Sequence, residues 1–110
     1  MKLYYKNDKL KNICENPVYQ KEVIKKYGTE VARNLETIIA RLKDYNSLAD
    51  VPTSPPFRRH KLYGDYQNHF AINITRQYRL IFTQKDDTII IEDLKNIKEI
   101  LIMEVSKHYE

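Results

Sequence analysis

Val31, Leu35, Ile38, Leu42 and Tyr45 recur at i, i+4, i+7, i+11 and i+14, with Ala32 and Ile39 widening the stripe. That spacing fits one face of an α-helix, so a helix opening at Thr29 must find something to cover its apolar side. Arg33, Glu36, Arg41 and Lys43 are left for the other side. Further along, the period changes to two. Phe70, Ile72 and Ile74 alternate with Ala71, Asn73 and Thr75, and Tyr78, Leu80 and Phe82 alternate with Arg79, Ile81 and Thr83. These read as half-buried strands. Helices followed by a run of strands predict an α+β fold with a mostly antiparallel sheet.

The rest of the chain fits around that frame. Lys2 to Lys6 reads as a tyrosine-rich strand at a sheet edge, and Asn7 or Asp8 caps a brief helix carrying Leu10 and Ile13. Asn16-Pro17 starts another helix, whose apolar side is Val23, Ile24 and Tyr27 and which Gly28 ends as a left-handed cap. This helix and the one from Thr29 form a hairpin with one face on the sheet. Residues 46–56, with Ser47, Pro52, Ser54, Pro55 and Pro56, read as a fixed crossover. Lys85-Asp86-Asp87 turns into a strand from Thr88 to Glu92, and Ile100 to Val105 is a last apolar strand, central in the sheet.

At 110 residues the whole chain, 1–110, is expected to be one domain with a core that needs no staples. No apolar run approaches the roughly 20 residues of a membrane span, and the N-terminus lacks the apolar core of a signal peptide. Cys14 is the single cysteine, which suits a reducing, cytoplasmic setting. The net charge of +4 is unevenly spread: residues 1–50 carry +3, 51–85 carry +5 and 86–110 carry −4. The middle segment holds Arg58, Arg59, Lys61, Arg76, Arg79 and Lys85 against Asp65 alone, together with His60 and His69. A β-surface bearing guanidinium, ammonium and imidazole groups suits a polyanion, and RNA is the expected one.

The chain resembles the HigB branch of the RelE/ParE superfamily, the toxins of bacterial type II toxin–antitoxin pairs. The resemblance rests on pieces in the family's order: Lys26-Tyr27-Gly28, Ser47-Leu48-Ala49-Asp50, His60-Lys61-Leu62 with Gly64-Asp65, Phe70-Ala71-Ile72, Tyr78-Arg79-Leu80-Ile81-Phe82 and Val105-Ser106-Lys107-His108-Tyr109. It differs where the family often has a lysine, here Tyr63, and where the C-terminal segment often reads acid-Tyr-His; the nearest acids here are Glu104 and Glu110. The resemblance implies a helical hairpin on a curved antiparallel sheet. It implies a ribosome-dependent messenger-RNA endonuclease, monomeric within its complex with a HigA-like helix-turn-helix antitoxin.

Metal-free RNA cleavage needs a base for the 2′-hydroxyl proton, cations for the developing phosphorane charge and an acid for the leaving 5′-oxygen. Three isolated histidines and one cysteine do not make metal-ligand spacing, so no metal or cofactor is expected. The resemblance gives His60 and His108 proton transfer, without deciding which is acid and which base. Arg79, and Arg76 behind it, would clamp the phosphate. Lys61 and Lys107 would add charge along the RNA, as would Arg58 and Arg59. Tyr109 would stack on a splayed base or donate a proton. The plainer readings make Arg58 and Arg59 edge charges that discourage strand pairing, and Arg79 a structural arginine at the sheet margin. Two other functions stay open: a ParE-like gyrase inhibitor and an inactive antitoxin-binding module.

Overall fold

Asn7 sets the start of the first helix. Its side-chain oxygen accepts a hydrogen bond from Leu10 N at 2.9 Å, satisfying one of the helix's free first-turn donors. In the computed structural model, which describes residues 1–107, that helix is α1 (Asp8–Glu15), and strand β1 (Lys2–Tyr5) precedes it. A 3-10 turn at Pro17–Tyr19 leads into α2 (Gln20–Tyr27), and α3 (Thr29–Asp44) follows after a single residue. The strands then come in order: β2 (His60–Lys61), β3 (His69–Asn73), β4 (Tyr78–Gln84) and β5 (Glu99–Lys107). The sheet order is β1-β5-β4-β3-β2, antiparallel throughout except for the β1–β5 pair, so β5 is flanked on both sides as expected. Among the described residues no helix is long and apolar enough to cross a membrane.

Gly28 joins α2 to α3 with φ +97° and ψ 164°, a conformation open essentially to glycine alone. It is not the left-handed helical cap expected from sequence. Its N–H closes α2 on Ile24 O while its carbonyl receives Ala32 N of α3. Nothing lies within 4 Å of where a Cβ would stand, so Gly28→Ala costs backbone strain rather than a clash. We expect about 1–3 kcal/mol of lost stability, read as a lower urea midpoint at unchanged slope. On α2, Val23 is buried and Tyr27 stands edge-on to Tyr78 with ring centres 5.3 Å apart, but Ile24 is exposed. Ile24 lies about 100° round the helix from Val23, so it stands at the edge of the face that Val23 turns to the core.

The stripe on α3 does what its spacing requires. Val31, Leu35, Ile38, Ile39 and Leu42 are buried against Phe70, Ile72, Leu80, Phe82, Ile100 and Ile102 of the sheet. Lys43 pairs with Glu15, tying α3 to α1. The crossover is fixed by a capping box between Ser47 and Asp50 and by Leu48 and Val51, both sunk in the core. Thr88 to Glu92 is not a strand. Asp86 accepts from Thr88 N and Oγ1, Gln84 Nε2 donates to the carbonyls of Asp86 and Ile89, and Ile89 and Ile91 lean on the core while Ile90 is exposed. The alternation is real, but β3 and β5 already occupy both sides of β4, the strand a hairpin at 85–87 would have to pair with.

Two features shape the sheet face away from the helices, called the open face below. First, the segment after β2 folds back over it, so Leu62, Ala71 and Ile81 make a second, small apolar cluster against which Tyr66 and Met103 pack. β3 and β4 are therefore covered on both faces at their centres, where the alternation alone predicts half-burial. Second, the β4–β5 register slips between Ile81 and Phe82: Ile81 faces Glu104 and Phe82 faces Ile102, leaving Met103 as a bulge. Strict alternation would send Glu104 and Ser106 to the core side with Ile100 and Ile102. The bulge turns them to the open face and swings Val105 to the core.

Candidate functional site

Residues directly opposed in an antiparallel ladder share a face. His60 opposes Ala71, Ala71 opposes Ile81, and Ile81 opposes Glu104, giving one row across four strands of the open face. Asn73, Arg79 and Ser106 form the next row, and His69 opposes Thr83 on the far side. From strand spacing and rise, the Cα atoms of His60 and Arg79 lie about 12 Å apart. That is a span two side chains and a phosphate can bridge.

Both imidazoles are held the same way. His60 Nδ1 lies 2.8 Å from Arg58 O and His69 Nδ1 lies 2.9 Å from Gln67 O. A carbonyl only accepts, so each Nδ1 carries the proton in that bond and each neutral ring keeps its lone pair on Nε2. His60 is exposed and His69 half-buried, with the Tyr66 ring edge-on to it at 6.1 Å.

Arg79 is half-buried. Its Nε is out of solvent with no hydrogen-bond partner, and among the described residues the guanidinium has no ion pair. Glu104 sits diagonally across on β5, where its Oε1 accepts a hydrogen bond from Tyr66 Oη. That bond, helped by burial, raises the Tyr66 pKa above the ordinary phenol value, although the Arg79 charge works against the rise. Tyr66 therefore stays a protonated donor at neutral pH. Cys14 lies away from this face beneath the helices, and burial pushes its thiol up to about 12, so it is no nucleophile.

The basic stretch does not form one surface. Lys61 opposes Phe70 and so turns to the helix side, where its Nζ is 3.5 Å from Glu92. Arg59, half-buried, donates from Nη1 to Leu48 O at 3.1 Å and anchors the crossover, and burial lowers its pKa. Arg58 is exposed with φ +49°, presenting its carbonyl to His60. Arg76 is exposed in the β3–β4 turn, at the end of the sheet where Asn73 and Arg79 lie. Lys107 ends β5 opposite Tyr78. His108 and Tyr109 lie outside the described residues.

Sequence reasoning passed over Tyr66, Asn73 and Ser106 as site residues and weighed Glu104 only as a neighbour of the terminal segment. Glu104 carried a signal, because it is the one charge in the apolar run from Ile100 to Val105. A carboxylate there has to leave the core side, which is what the bulge achieves.

No family model matches the sequence, and no curated protein matches it. Solved structures do match it. A YoeB/ParE toxin from Agrobacterium tumefaciens superposes with a TM-score of 0.56 at 14% identity, over 99% of this chain and 100% of that one. A copper-bound mutant toxin from Helicobacter pylori gives 0.57 at 19% identity, over 98% and 94%. The YoeB–YefM complex from Staphylococcus aureus gives 0.56 at 10% identity, over 99% and 98%. The α+β architecture of helices on a five-stranded, mostly antiparallel sheet is thus shared, almost end to end, with these toxins.

Proposed function

We propose that the chain is the toxin of a type II toxin–antitoxin pair, a HigB-like member of the RelE/ParE superfamily that cuts messenger RNA on the ribosome. One observation carries the reading: a half-buried guanidinium with no ion pair among the described residues shares a sheet face with two imidazoles whose Nδ1 atoms, not their Nε2 atoms, are held by backbone carbonyls. His60 Nε2 takes the 2′-hydroxyl proton and the 2′-oxygen attacks phosphorus. The bond to the 5′-oxygen breaks, leaving a 2′,3′-cyclic phosphate, and His108 or Tyr109 returns a proton to the leaving oxygen. Arg79, with Arg76 at the edge, holds the phosphoryl oxygens as charge grows on them. No metal or cofactor enters this scheme. A HigA-like helix-turn-helix antitoxin would silence the toxin in the cytoplasm. A fold neighbour solved as a YoeB–YefM complex, and toxins as the shared fold's known bearers, support the assignment.

The test compares wild type with His60→Ala, by mapping messenger-RNA 5′ ends in expressing cells and by single-turnover cleavage on programmed ribosomes. Wild type should give codon-phased cuts, and the variant should be slower by about 10²–10⁴-fold, the range for losing a general base. Intact messages with arrested DNA would replace this reading with gyrase inhibition. Absence of any growth effect would leave an antitoxin-binding module.

A further inference from the structure

Arg79 and Glu104 should be paired, and they are not. They sit on adjacent strands of one face, two positions apart in register, a diagonal separation of about 7–8 Å that an arginine and a glutamate span easily. Both are half-buried, so a guanidinium–carboxylate fork would satisfy Arg79 Nε, which has no hydrogen-bond partner among the described residues. Glu104 is instead engaged by Tyr66 Oη. The phenol is delivered from above the sheet by a short 3-10 turn, Gly64–Tyr66, whose Gly64 has φ +68° and which is followed by Asn68 at φ +66°. The ring is seated on the Leu62, Ala71 and Ile81 cluster and against His69, so its hydroxyl has a fixed reach.

We infer that Tyr66 is a positioning residue: by donating its hydroxyl to Glu104 it keeps that carboxylate off Arg79 and so keeps the guanidinium open to a phosphodiester. This rests on the reading of Arg79 as the phosphate clamp. A carboxylate two positions away in register competes directly with a phosphate for the guanidinium. Withdrawing the hydroxyl leaves Glu104 Oε1 without that donor in a half-buried place, and Arg79, diagonally across the ladder, is a cation within side-chain reach. Losing the Tyr66 hydroxyl should then close the clamp without touching it.

The experiment uses the full chain and follows the Arg79 Nε–Hε resonance by NMR, assigned with Arg79→Lys, during titration with inorganic phosphate. Wild type should respond saturably. Tyr66→Phe should bind about fivefold more weakly, the factor a partly exposed ion pair imposes, with Nε–Hε already shifted towards its carboxylate-bound position before phosphate is added. Tyr66→Phe combined with Glu104→Gln should regain the wild-type affinity, because the competitor has lost its charge. Loss of ring packing or of folding could not be repaired in that way. Wild-type affinity in Tyr66→Phe, a double variant no better than the single one, or a wild-type Arg79 blind to phosphate would each overturn the inference. Ribosomal cleavage is measured in parallel. A wild type that binds phosphate at Arg79 but cuts no message would sink the proposed nuclease and leave the Tyr66 role standing.

Discussion

With Arg79 replaced by glutamate, growth arrest on expression disappears and single-turnover cleavage falls by at least about 10²-fold, the scale for removing a preorganised group that meets transition-state charge. The chain stays folded and still binds its antitoxin. The expectation follows from position: Arg79 is held by β4 between β3 and β5, and its head group is committed to nothing among the described residues. A guanidinium kept half out of water without a partner is a cost to the fold, which an arriving phosphate would offset. Because Glu104 lies diagonally across, Arg79→Glu sets two carboxylates near each other, so Arg79→Gln is the companion variant. Full toxicity in either would remove Arg79 from the clamp. Loss of folding in both would make it the structural arginine of the plainer reading.

The second large effect is on stability. Phe82 is fully buried at the centre of the sheet, opposed to Phe70 on β3 with ring centres 5.9 Å apart and to Ile102 on β5. Phe82→Ala removes a ring from between three strands and α3, where strands cannot collapse inward to fill the space. The expected loss is about 3–5 kcal/mol, a large share of the roughly 5–15 kcal/mol that holds a domain of this kind together. Equilibrium urea unfolding reads it as a lower midpoint at unchanged slope. A loss below about 1 kcal/mol would mean that the Phe70–Phe82 stack is not the centre of the core.

Much of this fold was legible because it is written as period. The stripe on α3 and the alternation in β3 and β4 each name a buried face, and each face is buried as named. Asn7 and Gly28 mark helix ends because their backbone and capping chemistry is local, whereas Asn16-Pro17 opens a 3-10 turn and the helix expected from it begins only at Gln20. Long-range choices were not legible. Alternation in Ile89 and Ile91 is the same whether a strand neighbour exists or not, and it is the long-range pairing of β5 with β4, on the side a hairpin would have used, that leaves it none. The candidate site divides along the same line. The sequence grouped His60, His69 and Arg79 through the basic stretch and the resemblance, and it is the ladder registers that put them on one face. Lys61 and Arg59 could not be separated from them by charge counting, since neighbouring residues of a strand point opposite ways. Tyr66 reaches the site from a turn closed by local hydrogen bonds, and nothing in its spacing announces Glu104 as its acceptor.

Met103 has a bearing on how this chain should be matched to other proteins of its fold. A relative lacking the extra residue in its last strand would line up with this one, column by column, while its side chains beyond that point faced the opposite way. Conserved letters would then be compared between interior and exterior, and true equivalents such as Glu104 would be scored as unrelated. Correspondence in the final strand is better judged by orientation, counting outward from the residue opposite Ile81, than by position in an ungapped alignment.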